Sequence, residues 1–112
     1  MDTAVAYKNP QIRKGIDRYH QNSILNATPS ELILKLYDLA IISIRKKDFH
    51  KAGLVLTELI AALNFEYQEE ALGLFKLYRY CQDCLYKGET QMPLQILVEL
   101  RDTWAEAFEL LK

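Results

Sequence analysis

Helix punctuation is the feature that most constrains this chain. Only four glycines and three prolines occur in 112 residues, and most fall where an apolar repeat of helical spacing starts or stops. No alternating apolar and polar run, as a half-buried strand requires, competes with that repeat. The firmest boundary is Thr28-Pro29-Ser30-Glu31. Thr28 can cap a helix there, Pro29 has its φ fixed at a value suited to the first helical position, and Glu31 completes a capping box.

From that boundary Ile33, Leu36, Tyr37, Ala40, Ile41 and Ile44 recur at helical spacing, and Leu32, Leu34, Leu39 and Ile42 widen the stripe. The first helix is therefore expected to be the most buried. Arg45, Lys46 and Lys47 suit the negative end of its dipole as the chain turns. A second stripe follows at Ala52, Val55, Leu56, Leu59, Ile60 and Leu63, and a third at Ala71, Leu74, Phe75, Tyr78, Cys81 and Leu85. Lys87-Gly88 closes the third helix, with glycine free to take positive φ. Pro93 opens the fourth, which carries Leu94, Leu97, Val98, Leu100, Trp104, Phe108 and Leu111.

The spacing predicts helices over 29–47, 49–64, 69–87 and 93–111, with Leu36, Ala40, Leu59, Leu63, Leu74, Tyr78, Leu97 and Trp104 in the core. Four amphipathic helices joined by short turns favour antiparallel neighbours, so the fold class expected is all-α, an up-down-up-down four-helix bundle. The bundle occupies residues 28–112 and is preceded by an N-terminal lid or tail segment, residues 1–27. In that segment Ile12, Ile16 and Tyr19 stand at i, i+4 and i+7 with Arg13, Lys14 and Arg18 between them. It reads as a short helix that docks on something, either as a removable cover or as permanent core.

Composition removes several function classes. The net charge of −1, from 14 basic and 15 acidic side chains, supplies no domain-wide positive field for a phosphate backbone, so nucleic acid is not an expected partner. No signal-peptide pattern begins the chain and no apolar run approaches a membrane span of about 20 residues. The cytoplasm is the expected compartment, without membrane insertion. Cys81-x-x-Cys84 has a spacing that can serve redox or metal chemistry, but it falls in mid-helix with no strand before it, and His20 and His50 are too far apart to complete a zinc set. The thiols read as packing groups. The carboxylates are scattered, and no phosphate-binding glycine loop or nucleophile elbow appears. Neither catalysis nor a cofactor or metal is expected.

Seven tyrosines are many for this length. Tyr78, Tyr80 and Tyr86 cluster on the third helix at positions that cannot all face one core, so they serve either core-edge packing or a partner groove.

One set of residues is more specific. Ile16-x-x-Tyr19-x-Gln21-Asn22-Ser23, then Ala27-Thr28-Pro29-x-Glu31-Leu32-x-Leu34-x-Leu36-Tyr37-Asp38, resemble the opening of the flagellar export chaperones that guard flagellin, the FliS family. Glu58-Leu59 to Leu63-Asn64-Phe65-Glu66, Leu77-Tyr78-x-Tyr80 and Leu100-Arg101-Asp102-x-Trp104-x-Glu106-Ala107 are similar to the family's later blocks in the same order. The resemblance implies a four-helix bundle that holds the C-terminal segment of flagellin, or a related flagellar export client, in an apolar groove and prevents premature polymerisation. Components of the export gate are further partners on this reading. Ile16 and Tyr19 match the family's lid positions, and Leu63, Leu77, Tyr80 and Tyr86 are the client-binding candidates. The stretches from Tyr37 to Leu59 and from Tyr78 to Trp104 are shorter than the family norm, a paired loss that shortens the bundle while keeping its packing. A chaperone or co-chaperone for another export client, and an unrelated helical adaptor, are the alternative readings.

Overall fold

The computed structural model describes residues 30–110, the side chains of Ser30, Phe108 and Leu110 excepted. Every regular element among these residues is helical: α1 (Ser30–Arg45), α2 (Phe49–Ala61), a 3-10 turn (Phe65–Tyr67), α3 (Gln68–Tyr86) and α4 (Gln91–Leu110). Thr28, Pro29 and the whole segment of residues 1–27, Ile16 and Tyr19 included, lie outside the described residues. None of the described helices is long and apolar enough to cross a membrane.

Two turns of the same kind end α1 and α3. At the end of α1, Lys47 takes φ 60°, its N–H donates to the Ile44 carbonyl at 2.9 Å, and the Asp48 N–H donates to the Ser43 carbonyl at 2.9 Å. This is the Schellman closure, which satisfies carbonyls that the helix end would otherwise orphan. Lysine stands where glycine is usual, and α1 stops at Arg45 rather than running to Lys47. Asp48 then caps α2 by accepting from the Lys51 N–H at 3.1 Å. At the end of α3 the expected glycine performs the same step. Gly88 has φ 77° and donates to the Leu85 carbonyl, and the Glu89 N–H reaches the Cys84 carbonyl at 2.8 Å.

Two other boundaries differ from expectation. The second helix ends at Ala61, and Asn64 caps a 3-10 turn by accepting from the Glu66 N–H at 3.0 Å. The fourth begins at Gln91, because the Thr90 carbonyl accepts from the Leu94 N–H at 3.0 Å, so Pro93 is its third residue. Proline costs nothing there, since the first-turn N–H groups have no intrahelical partner.

Helix α1 packs on α2 and α4, and α3 packs on the same two, so the helices form a ring around one core. Ala40, Leu59, Leu74, Tyr78, Leu97 and Trp104 are buried there as expected, together with Tyr37, Ile44, Leu56, Ile96 and Leu100. Leu36 and Leu63 only reach its edge. Nor is α1 buried all round, for Leu32 and Ile42 are exposed. A helix in a four-membered ring has two neighbours and one outer face, so a stripe this wide cannot be covered entirely.

Tyr37 and Tyr78 cross the middle of the ring. Their hydroxyl oxygens are 2.6 Å apart in the core, with ring centroids 6.4 Å apart and planes tilted by 55°. Buried hydroxyls that bond each other fix which residues of α1 and α3 stand opposite. Tyr37→Phe and Tyr78→Phe are each expected to cost about 1–3 kcal/mol in denaturant unfolding. The double variant should cost at least about 0.5 kcal/mol less than the sum of the two. Strict additivity would show that the two hydroxyls are not coupled.

Candidate functional site

Among the described residues, most exposed large apolar side chains sit on α2, α3 and the 3-10 turn between them: Leu54, Phe65, Leu72 and Tyr86, with Leu54 55% and Tyr86 94% exposed. Between these helices runs an open groove of about 560 Å³. From α2 it is lined by Phe49, His50, Gly53, Leu54 and Thr57, and from α3 by Arg79, Gln82, Asp83, Leu85 and Tyr86. A second hollow, about 690 Å³, lies over Asp102, Ala105, Glu106 and Glu109 of α4. Its described walls come from one helix, which gives it less to grip with.

The floor of the α2–α3 groove is polar but internally satisfied. Gln82 Nε2 donates to the Gly53 carbonyl and to Thr57 Oγ1, each at 3.1 Å, and Thr57 Oγ1 donates to the same carbonyl at 3.1 Å. Gln82 Oε1 in turn accepts from Arg79 NH1 at 2.9 Å. Apolar surface can therefore cover the Gly53 carbonyl, Thr57 and Gln82 without stranding these groups, which would otherwise cost about 1–3 kcal/mol each.

The residues expected to bind a client do not gather in one place. Tyr86 is fully on the surface at the groove, whereas Leu77 is 2% exposed and belongs to the core. Nine residues at about 100° each put Leu77 and Tyr86 on opposite sides of α3. Tyr80 is half-buried against the core and hydrogen-bonds Cys84 one turn further on. Leu63 packs at the core edge beyond α2. Sequence reasoning missed Leu54, Gly53 and Gln82. Leu54 carried a usable signal, because it is apolar yet stands outside the α2 stripe of Ala52, Val55, Leu56 and Leu59.

Two other features are structural. Cys81 and Cys84 are buried, and burial pushes the Cys81 thiol up to about 12 and the Cys84 thiol in the same direction. A thiol kept protonated is a poor nucleophile and a poor ligand at neutral pH. No cluster of metal-ligating side chains occurs among the described residues. Arg101 Nε donates to Asp38 Oδ1 at 2.8 Å, joining α4 to α1, and that hydrogen bond raises the already high Arg101 pKa. The pair is partly exposed, so it contributes little stability.

Among the described residues, three of the stretches quoted for the resemblance touch one another. Tyr37 of the first block bonds Tyr78 of a later one, and Asp38 bonds Arg101 of the last. These residues hold helices together rather than line the groove. Comparison with protein-family models, curated proteins and solved structures returns no match.

Proposed function

We propose that the protein is a flagellar export chaperone that binds the C-terminal helical segment of flagellin and keeps it from polymerising in the cytoplasm until export. The observation that carries this reading is the exposed apolar lining of the α2–α3 groove, Leu54 and Tyr86 above all. A surface of this kind on a small bundle marks a place where another chain docks. The residues that resemble the flagellin chaperones supply the identity of the client.

On this reading the ring is an up-down-up-down bundle. The three-residue link between α1 and α2 and the four-residue link between α3 and α4 favour hairpins. The segment around Ile16 and Tyr19 serves as a lid that covers apolar surface and gives way to the client. A lid must dock weakly, since the client's affinity is reduced by the fraction of molecules that are open.

Calorimetric titration of the intact protein with a flagellin C-terminal peptide tests the reading, and saturable binding is expected. Removal of residues 1–22 should leave the bundle folded, raise binding of an apolar dye and keep or modestly tighten affinity for the peptide. Absence of binding to the intact protein would refute the flagellin reading. A truncated protein that stays folded but no longer binds would make the segment part of the client site.

A further inference from the structure

The two ends of the ring differ in charge. Gln82 of α3 bonds Gly53 and Thr57 of α2, and the groove sets Phe49 and His50 beside Leu85 and Tyr86, so α2 and α3 run antiparallel. The end where α2 starts and α3 stops carries the exposed cations Arg45, Lys46, Lys47, Lys51 and Lys87, against Asp48, Asp83 and Glu89. At the opposite end the sign reverses. Residues 58–72 hold Glu58, Glu66, Glu69 and Glu70 and no lysine or arginine. With α1 folded back along α2, as the three-residue link favours, α1 begins at this acidic end and adds Glu31. The nearest cations, Lys35 and Lys76, stand one turn beyond Glu31 and Leu72. Antiparallel neighbours cancel most of their helix dipoles, which leaves the side-chain charges to set the field.

The acidic end also exposes Leu32, Phe65 and Leu72. Apolar side chains ringed by carboxylates suit a cover that is both apolar and cationic. The residues that lead into α1 have that make-up: Ile16, Tyr19, Ile24 and Leu25 with Arg13, Lys14 and Arg18, against the single acid Asp17 in residues 11–27. They join the ring at Ser30, at this same end. The link from Tyr19 to Ser30 spans about 36 Å at most, enough for any face of a ring 35 × 30 × 20 Å, so reach alone does not choose the seat. Charge does. The cationic end, where Ile42 and Tyr86 are exposed, repels such a segment, and the lining of the α2–α3 groove sets Arg79 against Asp83. A second copy of this chain, docked about a two-fold axis, would set acidic end against acidic end.

We infer that residues 11–27 of this chain cover the acidic end of the ring, with their apolar side chains on Leu32, Phe65 and Leu72 and with Arg13, Lys14 and Arg18 among the surrounding glutamates. This rests on the reading of the segment as a lid and names its seat.

Amide hydrogen exchange of residues 11–27 in the full chain tests the seat. Protection is expected at low salt and should fall about three-fold or more at about 1 M NaCl, where the Debye length shrinks to about 3 Å. Phe65→Ser with Leu72→Ser should abolish the protection, and Glu66→Lys with Glu69→Lys should reduce it as salt does. All four side chains are exposed, so circular dichroism should show both variants folded. Adding Arg13→Glu and Lys14→Glu to the Glu66→Lys, Glu69→Lys variant should restore protection, a rescue that damage to the fold cannot mimic. Protection that ignores both pairs of substitutions would overturn the seat and leave a lid docked elsewhere. No protection in the intact chain at low salt would overturn seat and lid together. Protection that persists at saturation with a flagellin C-terminal peptide would keep the seat and overturn the lid.

Discussion

Trp104→Ala should lower the unfolding free energy by about 3–5 kcal/mol, the range for emptying a large aromatic site in a core. Trp104 is 1% exposed and is the largest of the fully buried side chains. It stands on α4 one turn beyond Leu100 and one before Ala107, both buried, so the indole fills the ring where three residues of one stripe face inward. A four-helix ring collapses poorly around such a void, because each helix is held apart by its contacts with two neighbours. Domains of this size have about 5–15 kcal/mol in all, so the loss is a large fraction of the total. Urea unfolding followed by circular dichroism is the right measurement, since the substitution removes the chain's one tryptophan and its fluorescence. A loss below about 1 kcal/mol would place the indole at the surface and undo the packing of α4.

The helices were legible because their apolar stripes are local and repeat many times. Their ends were legible where one residue type dictates the backbone. Gly88 marks the end of α3 since its positive φ suits glycine, but Lys47 adopts the same conformation without the marker. What decides the end of α1 is Asp48, which closes the turn on Ser43 and caps α2 at once. Pro93 misled for a related reason. Proline is tolerated throughout the first turn, so it locates a helix start only to within a few residues.

The groove was less legible because it depends on pairs far apart in the chain. Gln82 reaches Gly53 across 29 residues and Thr57 across 25. No local spacing announces either contact. The tyrosine cluster was half legible: one member had to reach the surface, but rotation about α3 decides which. Tyr86 does so, Tyr78 is core and Tyr80 lies between. The resemblance blocks pointed to residues that staple helices, and such residues announce a fold more than a binding surface.

Leu77 and Tyr86 provide the second large effect, and they separate packing from binding on a single helix. Both read from the sequence as client-binding residues, yet one is 2% and the other 94% exposed. Leu77→Ala is expected to cost about 2–5 kcal/mol of stability, the range for a buried leucine, while Tyr86→Ala should change stability by no more than about 0.5 kcal/mol. Binding of a flagellin C-terminal peptide should move the other way. Loss of the Tyr86 ring removes one wall of the groove and should weaken binding about ten-fold, the usual scale for an interface aromatic. Leu77→Ala, measured at a temperature where the variant is fully folded, should leave affinity within about two-fold, because its side chain is buried in the core and lines no part of the groove. Denaturant unfolding and calorimetric titration on the same two variants give all four numbers. If Leu77→Ala weakened binding ten-fold while stability fell by less than about 1 kcal/mol, the client would have to reach the core face of α3. Binding would then proceed by opening the α3–α4 pair, not by docking on the α2–α3 surface.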